Sequence, residues 1–565
     1  MKRIVKGTAV LTCLSLLMTG CGQKTKESDA HVDRTKVTSE NIQEPLEMIK
    51  ITLSNDSILV DGEEAGTKST DAVYVANDIV YYEEGKDFTY GEGEKEDEHS
   101  VEEAGLHTVV HITEPGAYEL TGELSAGQVA VDLGENAEDD PNAVVTLVLN
   151  NVDIQCSVAP AVIFYNVYEC SEADEETAKK DVDTSAAGAN VIIADGSENN
   201  ISGSYVARIY KSVELNEEGT EVVDSKKLHK YDAAFYSKMT MNVNGGAKGD
   251  GILNIHAENE GLDSELHLTI NGGNISIVSG NDGNNTNEDY VSVTTVNGGT
   301  LKILVNGSTG EGDGIDSNGW LVINGGTVVA EACGFSADAG IDSDMGIHVN
   351  GGTLVAAGNM LDQIAESKQN YVVFSFAQTQ NGGDTYTLKD AKGQVVAECT
   401  PENGFSYLIF SNANIVEGIY TLWMGDTQLA ASASDMGGMM GGPGGMMPGG
   451  MPNGQVPEDM EWQEDMEMPE GGQMPGGKPN GQMPEGMEWP EDMEMPERGQ
   501  MPGGMLNGQM PEGMEWPEDM EMPERGQMPN GMTWPQGSGE ISEDLETELN
   551  IVTGGNYFTG VTAAK

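Results

Sequence analysis

Four aspartates, Asp263, Asp289, Asp316 and Asp342, each stand eight residues before the asparagine of an Asn-Gly-Gly triplet. Around them run EGLDS at 260–264, DGIDS at 313–317 and AGIDS at 339–343, with Asp338 and Asp344 flanking the last. Carboxylates stacked on one another raise each other's pKa unless a counter-ion lies between them. A row of carboxylate, carbonyl and hydroxyl oxygens is the ligand set of a hard cation such as Ca2+. Glu260, Asp263, Asp289, Asp313, Asp316, Asp338, Asp342 and Asp344 are therefore the candidate metal ligands. The competing reading is plainer: turns favour Asp, and these acids would then only solubilise a bend. Any such stack also offers carboxyl pairs at glycosidase separations of roughly 5–9 Å, so the pattern by itself names no catalytic residue.

The register that aligns these acids comes from the triplets, which begin at Asn244, Asn271, Asn297, Asn324 and Asn350, in steps of 27, 26, 27 and 26 residues. A period of that size without helical patterning is one supersecondary unit stacked on copies of itself. Apolar residues alternate before each triplet (Met241/Val243, Leu268/Ile270, Leu321/Ile323, Ile347/Val349; Val296 alone in the third unit), and again at Ile275, Leu301, Val328 and Leu354 after it. Alternation in runs this short, bounded by glycine, predicts half-buried strands. The Gly-Gly pair supplies the turn, since glycine takes positive φ without a Cβ penalty. Two or three strands per 26–27 residues predict an all-β fold of the parallel β-helix type, in which Asn244, Asn271, Asn297, Asn324 and Asn350 form a structural ladder.

The chain ends set the expected compartment. Lys2, Arg3 and Lys6 precede an apolar run at 8–18, followed by Met18-Thr19-Gly20-Cys21. This is the pattern of a lipoprotein signal peptide over 1–20 with lipidation at Cys21; an ordinary secretory signal is the alternative. The expected location is the outer face of a Gram-positive-type cell membrane, with membrane contact through the N-terminal lipid only. With 94 acidic and 28 basic residues the net charge is −66, which disfavours nucleic acid and attracts divalent cations. Beyond the leader, Cys156, Cys170, Cys333 and Cys399 make neither a disulfide framework nor a zinc pattern, and small thiols in the core, or a Cys156–Cys170 bridge, are the readings left open. The histidines are scattered, and no HExxH, GxSxG or P-loop is present. His267 and His348 lie four and two residues before their asparagines and are expected on opposite sides of a strand.

Residues 21–105 read as an acidic spacer and N-terminal cap, and 106–358 as the stacked repeats, with charged loops near 171–187 and 211–230. Strand-like runs over 359–435 predict a small antiparallel β domain closing the stack. Residues 436–540 hold 22 of the 30 methionines, and GQMPEGMEWPEDMEMPERGQMP occurs at Gly481 and Gly508, a 27-residue period. Rich in Pro, Gly and Glu, this segment cannot bury a core and is expected to be disordered. Its Trp462, Trp489 and Trp516 could serve a surface partner, and its thioethers could bind Cu(I). Residues 541–565 regain alternation and are expected to return a strand to the C-terminal domain.

The runs VVTLVLNNVDI, ANVIIADGSENNISG, DAAFYSKMTMNVNGG and DGIDSNGWLVINGGTV together resemble the carbohydrate-binding domain family of secreted bacterial β-helix lipoproteins, over about 106–358. The resemblance implies a right-handed parallel β-helix shaped like pectate lyases, bound calcium, and recognition of plant cell-wall polysaccharide, pectin-like or cellulosic, without established cleavage. Where such sequences often carry Lys or Arg after Asp-Gly-Ile, this chain has Asp316 and Asp342, and Asp263 after Gly-Leu. That departure favours a cation over direct contact with an anionic sugar. The first expectation is therefore a calcium-dependent, non-catalytic carbohydrate-binding lipoprotein. A β-helix polysaccharide lyase or hydrolase is the second, with Lys238 as the base, since Lys238, Lys248 and Lys302 are the basic residues of the regular repeats and no arginine occurs between Arg208 and Arg498. A surface adhesion or structural protein, acting through the Met-Pro-Glu repeat, is the third.

Overall fold

The computed structural model describes residues 48–171, 174–216, 218–434 and 545–564. Cys21 with its leader, and the Met-rich repeat, lie outside the described residues. The architecture is all-β with large sheets. Among the described residues no helix is long and apolar enough to cross a membrane.

Three ladders carry the repeats. In the first, Met241–Gly245, His267–Ile270, Val293–Val296, Trp320–Ile323 and Gly346–Val349 pair in parallel, each with the equivalent strand of the next repeat. In the second, Ile252–Ala257, Asn274–Ser279, Thr300–Val305, Thr327–Glu331 and Thr353–Gly358 do the same. The third runs Gly127–Asp132, Val162–Asn166, Ala233–Ser237, Glu260–Ser264 and Asn284–Thr286, again in parallel. The apolar positions that alternate in the sequence point between the ladders: Leu268, Ile270, Ile323 and Val328 are 0% exposed and share one hydrophobic core. Burying a side chain of this size contributes roughly 1.5–3 kcal/mol, so a single Ile270→Asp would open the stack.

The Asn-Gly-Gly turn has a steric basis at each residue. Asn271, Asn297, Asn324 and Asn350 each donate through Nδ2 to Oδ1 of the asparagine one repeat earlier, at 3.0, 2.9, 2.9 and 2.8 Å. A Cβ on the first glycine would stand 2.6 Å from the Asn297 carbonyl oxygen at Gly325 and 2.7 Å from that of Asn324 at Gly351. The second glycine takes the left-handed region, with φ of +77° at Gly326 and +83° at Gly352.

Within the acidic N-terminal segment the strand-like run Ile49–Leu53 is a strand, pairing in parallel with Gly116–Leu124. The charged stretch at 211–230 is no irregular loop. It belongs to a two-stranded hairpin, Val206–Leu215 against Val222–Tyr231. His267 and His348 share a side instead of facing apart: His267 Nε2 lies 3.1 Å from Ser171 Oγ, and His348 feels the charge of Lys180 from the same 171–187 segment. Residues two apart in a strand point the same way. All four cysteines are free, with Cys156 and Cys333 buried.

Beyond the repeats, Phe405–Ser411 pairs antiparallel with both Thr353–Gly358 and Tyr371–Gln380. The returning strand Gly555–Ala563 lies between Tyr371–Gln380, to which it is parallel, and Thr427–Ser434, to which it is antiparallel, so this domain is mixed. It has a core of its own around Phe374, Tyr386, Phe405 and Phe410. Glu331 ties it to the repeats by accepting from the Glu402 and Asn403 N–H groups at 2.7 and 3.1 Å.

Candidate functional site

The third ladder decides where the acids stand. Tyr236 pairs with Asp263, and Asp263 with Asn285. Bridges from Asn284 to Ile315 and from Ile315 to Ile341 continue the column through Asp316 and Asp342. Asp289 is not in it. That repeat has four extra residues between ladder and triplet, so counting back from Asn297 lands on an exposed turn, where Asp289 accepts from Asn318 Nδ2 at 3.1 Å. The column position belongs to Asn285. A second column, three residues earlier, holds Glu260, Asp282 and Asp313, since Glu260 pairs with Ala233 and the Gly261 and Gly283 N–H groups donate to the Asp282 and Asp313 carbonyls.

The two columns bring carboxylates together at two places. Asp232, Glu260 and Asp263 each offer an oxygen within 4.8 Å of the others, and so do Asp313, Asp316 and Asp342. Two ligands on opposite sides of a Ca2+, each at about 2.4 Å, stand about 4.8 Å apart, so both triads have the span of an ion's first shell.

In the first triad Lys230 reaches Asp232 at 2.6 Å. Burial works against the Lys230 ammonium, yet Asp232, with Glu260 and Asp263, holds its pKa above the ordinary value. Asp263 is fully buried and takes both contacts from Asn287 Nδ2, at 3.1 and 3.0 Å. Burial, then the neighbouring acids, push Glu260 and Asp263 well above the usual carboxylate range. Two buried oxygens here, Glu260 Oε2 and Asn285 Oδ1, have no hydrogen-bond partner. An unpartnered buried oxygen costs about 1–3 kcal/mol, and a cation is one group that removes that cost.

The second triad has no basic partner among the described residues. Backbone N–H groups stand in for a cation: the Asp313 N–H donates to Asp282 Oδ1 at 2.6 Å, and the Ala339 N–H to Asp313 Oδ1 at 2.5 Å. Burial, reinforced by Asp282 and Asp342, raises Asp313 to about 9 and Asp316 to about 8. Burial with Asp344 and Asp338 raises Asp342 to about 6. Asp282 and Asp362 rise to about 7, burial again first. Asp338 is turned to the backbone, accepting from the Gly312 N–H at 2.7 Å and from Ser336, and Asp344 is exposed at the rim.

Asp232, Lys230, Asp282, Asn285 and Asp362 escape an alignment made on the asparagines. A partial signal was present, since Asp282-Gly283 repeats as Asp313-Gly314 and sets Asn285 in register with Asp316. Lys238 is exposed and lines a separate cavity of about 680 Å³ with Lys227, Glu265 and Glu288. No oxygen of either triad lines that cavity.

The model of the family described as carbohydrate-binding domain-containing protein matches residues 107–398, slightly more than half of the chain. The chain belongs to that family. Among solved structures, it is similar to the polysaccharide lyase-like protein from C. thermocellum, determined as a gadolinium derivative, at 18% identity, covering 54% of this chain and 92% of that one with a TM-score of 0.30. No curated protein matches it. Carbohydrate binding is the activity the family supports, and the acids, not the scattered histidines or cysteines, are the chemistry gathered on the fold.

Proposed function

We propose that the chain is a lipid-anchored, extracellular carbohydrate-binding protein whose hold on plant cell-wall-type polysaccharide depends on Ca2+ and does not cleave it. The repeats would wind as a right-handed parallel β-helix with 26–27-residue rungs, held off the membrane by the lipid on Cys21. The supporting observation is the second triad: Asp313, Asp316 and Asp342 converge within 4.8 Å with no basic side chain among the described residues to neutralise them. Their donors are all oxygen, as a hard cation requires. Such an ion would neutralise the column and leave coordination positions for sugar hydroxyls or for a uronate carboxylate. That bridging role lets an acidic chain approach a protein carrying a charge of −66.

A glycan array run with Ca2+ and with EDTA tests this reading. Binding of polygalacturonate or cellulosic chains is expected in Ca2+ and a loss of at least tenfold in EDTA for the acidic chain. Acidic-chain binding indifferent to EDTA would remove the cation from the account. The lyase reading has one observation in its favour, the exposed Lys238 beside a cavity. Ultraviolet-absorbing unsaturated products released from polygalacturonate, and abolished by Lys238→Ala, would establish it.

A further inference from the structure

The outer side of the first ladder, away from the acid columns, presents amide and hydroxyl side chains. Pairing stacks Asn190, Asn242, Thr269, Thr295 and Val322 in one outward column. Four steps of about 4.8 Å make this column on the order of 19 Å long. The asparagine ladder runs beside it, two residues further along each strand. The 171–187 segment crosses the same side and is pinned there: Thr184 Oγ1 lies 2.8 Å from both Asn242 Oδ1 and Thr269 Oγ1, and Asn242 Nδ2 donates to the Thr184 carbonyl at 2.8 Å. Between the pinned segment and the ladder is a groove of about 590 Å³.

The chemistry of this groove differs from everything around it. Its sheet side consists of amides, hydroxyls and Val322, without a charged residue. Its one cation, Lys180, is paired with Asp181 at 3.1 Å, and Asp183 is occupied by the Ser185 N–H at 3.1 Å. The ladder asparagines spend one N–H and one lone pair on each other. An amide has two donors and two acceptor sites, so each retains one of both, repeated at the spacing of the strands. Among the described residues the Thr295 hydroxyl makes no hydrogen bond, and it lies half-buried in the groove. A ligand that satisfies this surface carries donors and acceptors at regular intervals, is extended, and brings no net charge. A polyanion finds no free cation here, and a compact ligand would leave most of the exposed asparagine ladder, Asn271, Asn297 and Asn324, unused.

We infer that this groove binds a neutral, hydroxyl-rich glycan chain laid along the stack of repeats, and does so without a metal ion. The inference rests on the carbohydrate-binding reading and divides it into two sites. Neutral chains go to the amide groove, and acidic chains go to the acid columns through a cation. Val182, half-buried in the groove wall, gives the C–H faces of the sugar an apolar contact, while the ladder amides select the hydroxyl pattern.

Calorimetric titration of the full chain with cellohexaose and with oligogalacturonate, each in Ca2+ and in EDTA, tests the division. Cellohexaose is expected to bind equally in both buffers. Thr295→Arg and, independently, Ser185→Arg at the exposed wall should each weaken it at least tenfold while leaving oligogalacturonate binding in Ca2+ unchanged. Cellohexaose binding that vanishes in EDTA, or survives both substitutions, overturns the groove. So does a wild-type chain that binds oligogalacturonate in Ca2+ but no cellohexaose, with the cation reading intact. Failure to bind either probe in either buffer would instead bring down the carbohydrate-binding reading itself, and the groove with it.

Discussion

Asp232, Glu260 and Asp263 meet beside the hairpin that carries Lys230, whereas Asp313, Asp316 and Asp342 meet further along the same ladder with no lysine among them. Both triads grow from the same short motif on the same strand position. What separates them is a neighbour contributed from elsewhere in the chain: Lys230 at the end of Val222–Tyr231, placed against Asp232 at 2.6 Å. One triad therefore has a permanent monovalent cation on a side chain, and the other depends on whatever the solution supplies. Like charges at this distance interact by about 4 kcal/mol per pair at an effective dielectric of 20, too much to leave uncompensated in a half-buried site.

The largest test of this difference is Lys230→Met. Removing one partner of a buried pair costs about 3–5 kcal/mol, and partial exposure of Lys230 reduces the expectation to about 2–3 kcal/mol. Thermal unfolding in EDTA should show that loss, and millimolar Ca2+ should restore most of it. A variant as stable as the wild type in EDTA would mean that Lys230 is not the counter-ion of the first triad.

The second triad should show itself through pH. Asp313 and Asp316 rise from an ordinary 3.8 to about 9 and about 8 on folding. Below pH 4 both states hold the proton and no penalty exists. Above it the unfolded chain ionises first, so in EDTA stability falls as pH climbs from about 4 to about 9. Asp316→Asn should flatten that fall, raise stability in EDTA at neutral pH by about 1–2 kcal/mol, and shrink the stabilisation by Ca2+. Denaturant midpoints across this pH range measure all three, and a flat wild-type profile would contradict the crowding. The smallest effect belongs to Asp344→Asn, exposed at the rim, which should change stability by less than about 0.5 kcal/mol and Ca2+ affinity by less than about threefold. A larger change would extend the site outward to Asp344.

The acid columns show how a periodic sequence can be read correctly in part. Aligned on the asparagines, Asp263, Asp316 and Asp342 fall on one position, and the structure places them there because those repeats have equal spacing from acid to triplet. Asp289 shares the count but not the place, since the repeat between Thr286 and Val293 is longer. An insertion in a turn leaves the ladder pairing intact and moves only the count. Asp232 stands twelve residues before Asn244, where the next repeat has Asn259, and Lys230 arrives at the end of a hairpin, so neither recurs along the column for an alignment to pick out. His267 and His348 were legible in principle, as two residues of equal parity on one strand type.

By itself the sequence determined the all-β class, the strand positions, the glycine turn and the interior. Alternating apolar residues and left-handed glycines are local requirements, met within a few residues of chain. It also determined that acids would recur along the ladder. Only the tertiary structure decided which acids converge, which of them a lysine neutralises, and that an inserted segment roofs a groove whose sheet side carries no charge. Those outcomes depend on contacts between residues tens of positions apart, such as Thr184 with Thr269 and Asp316 with Asp342, where pairing register and insertion length, not residue type, set the distance.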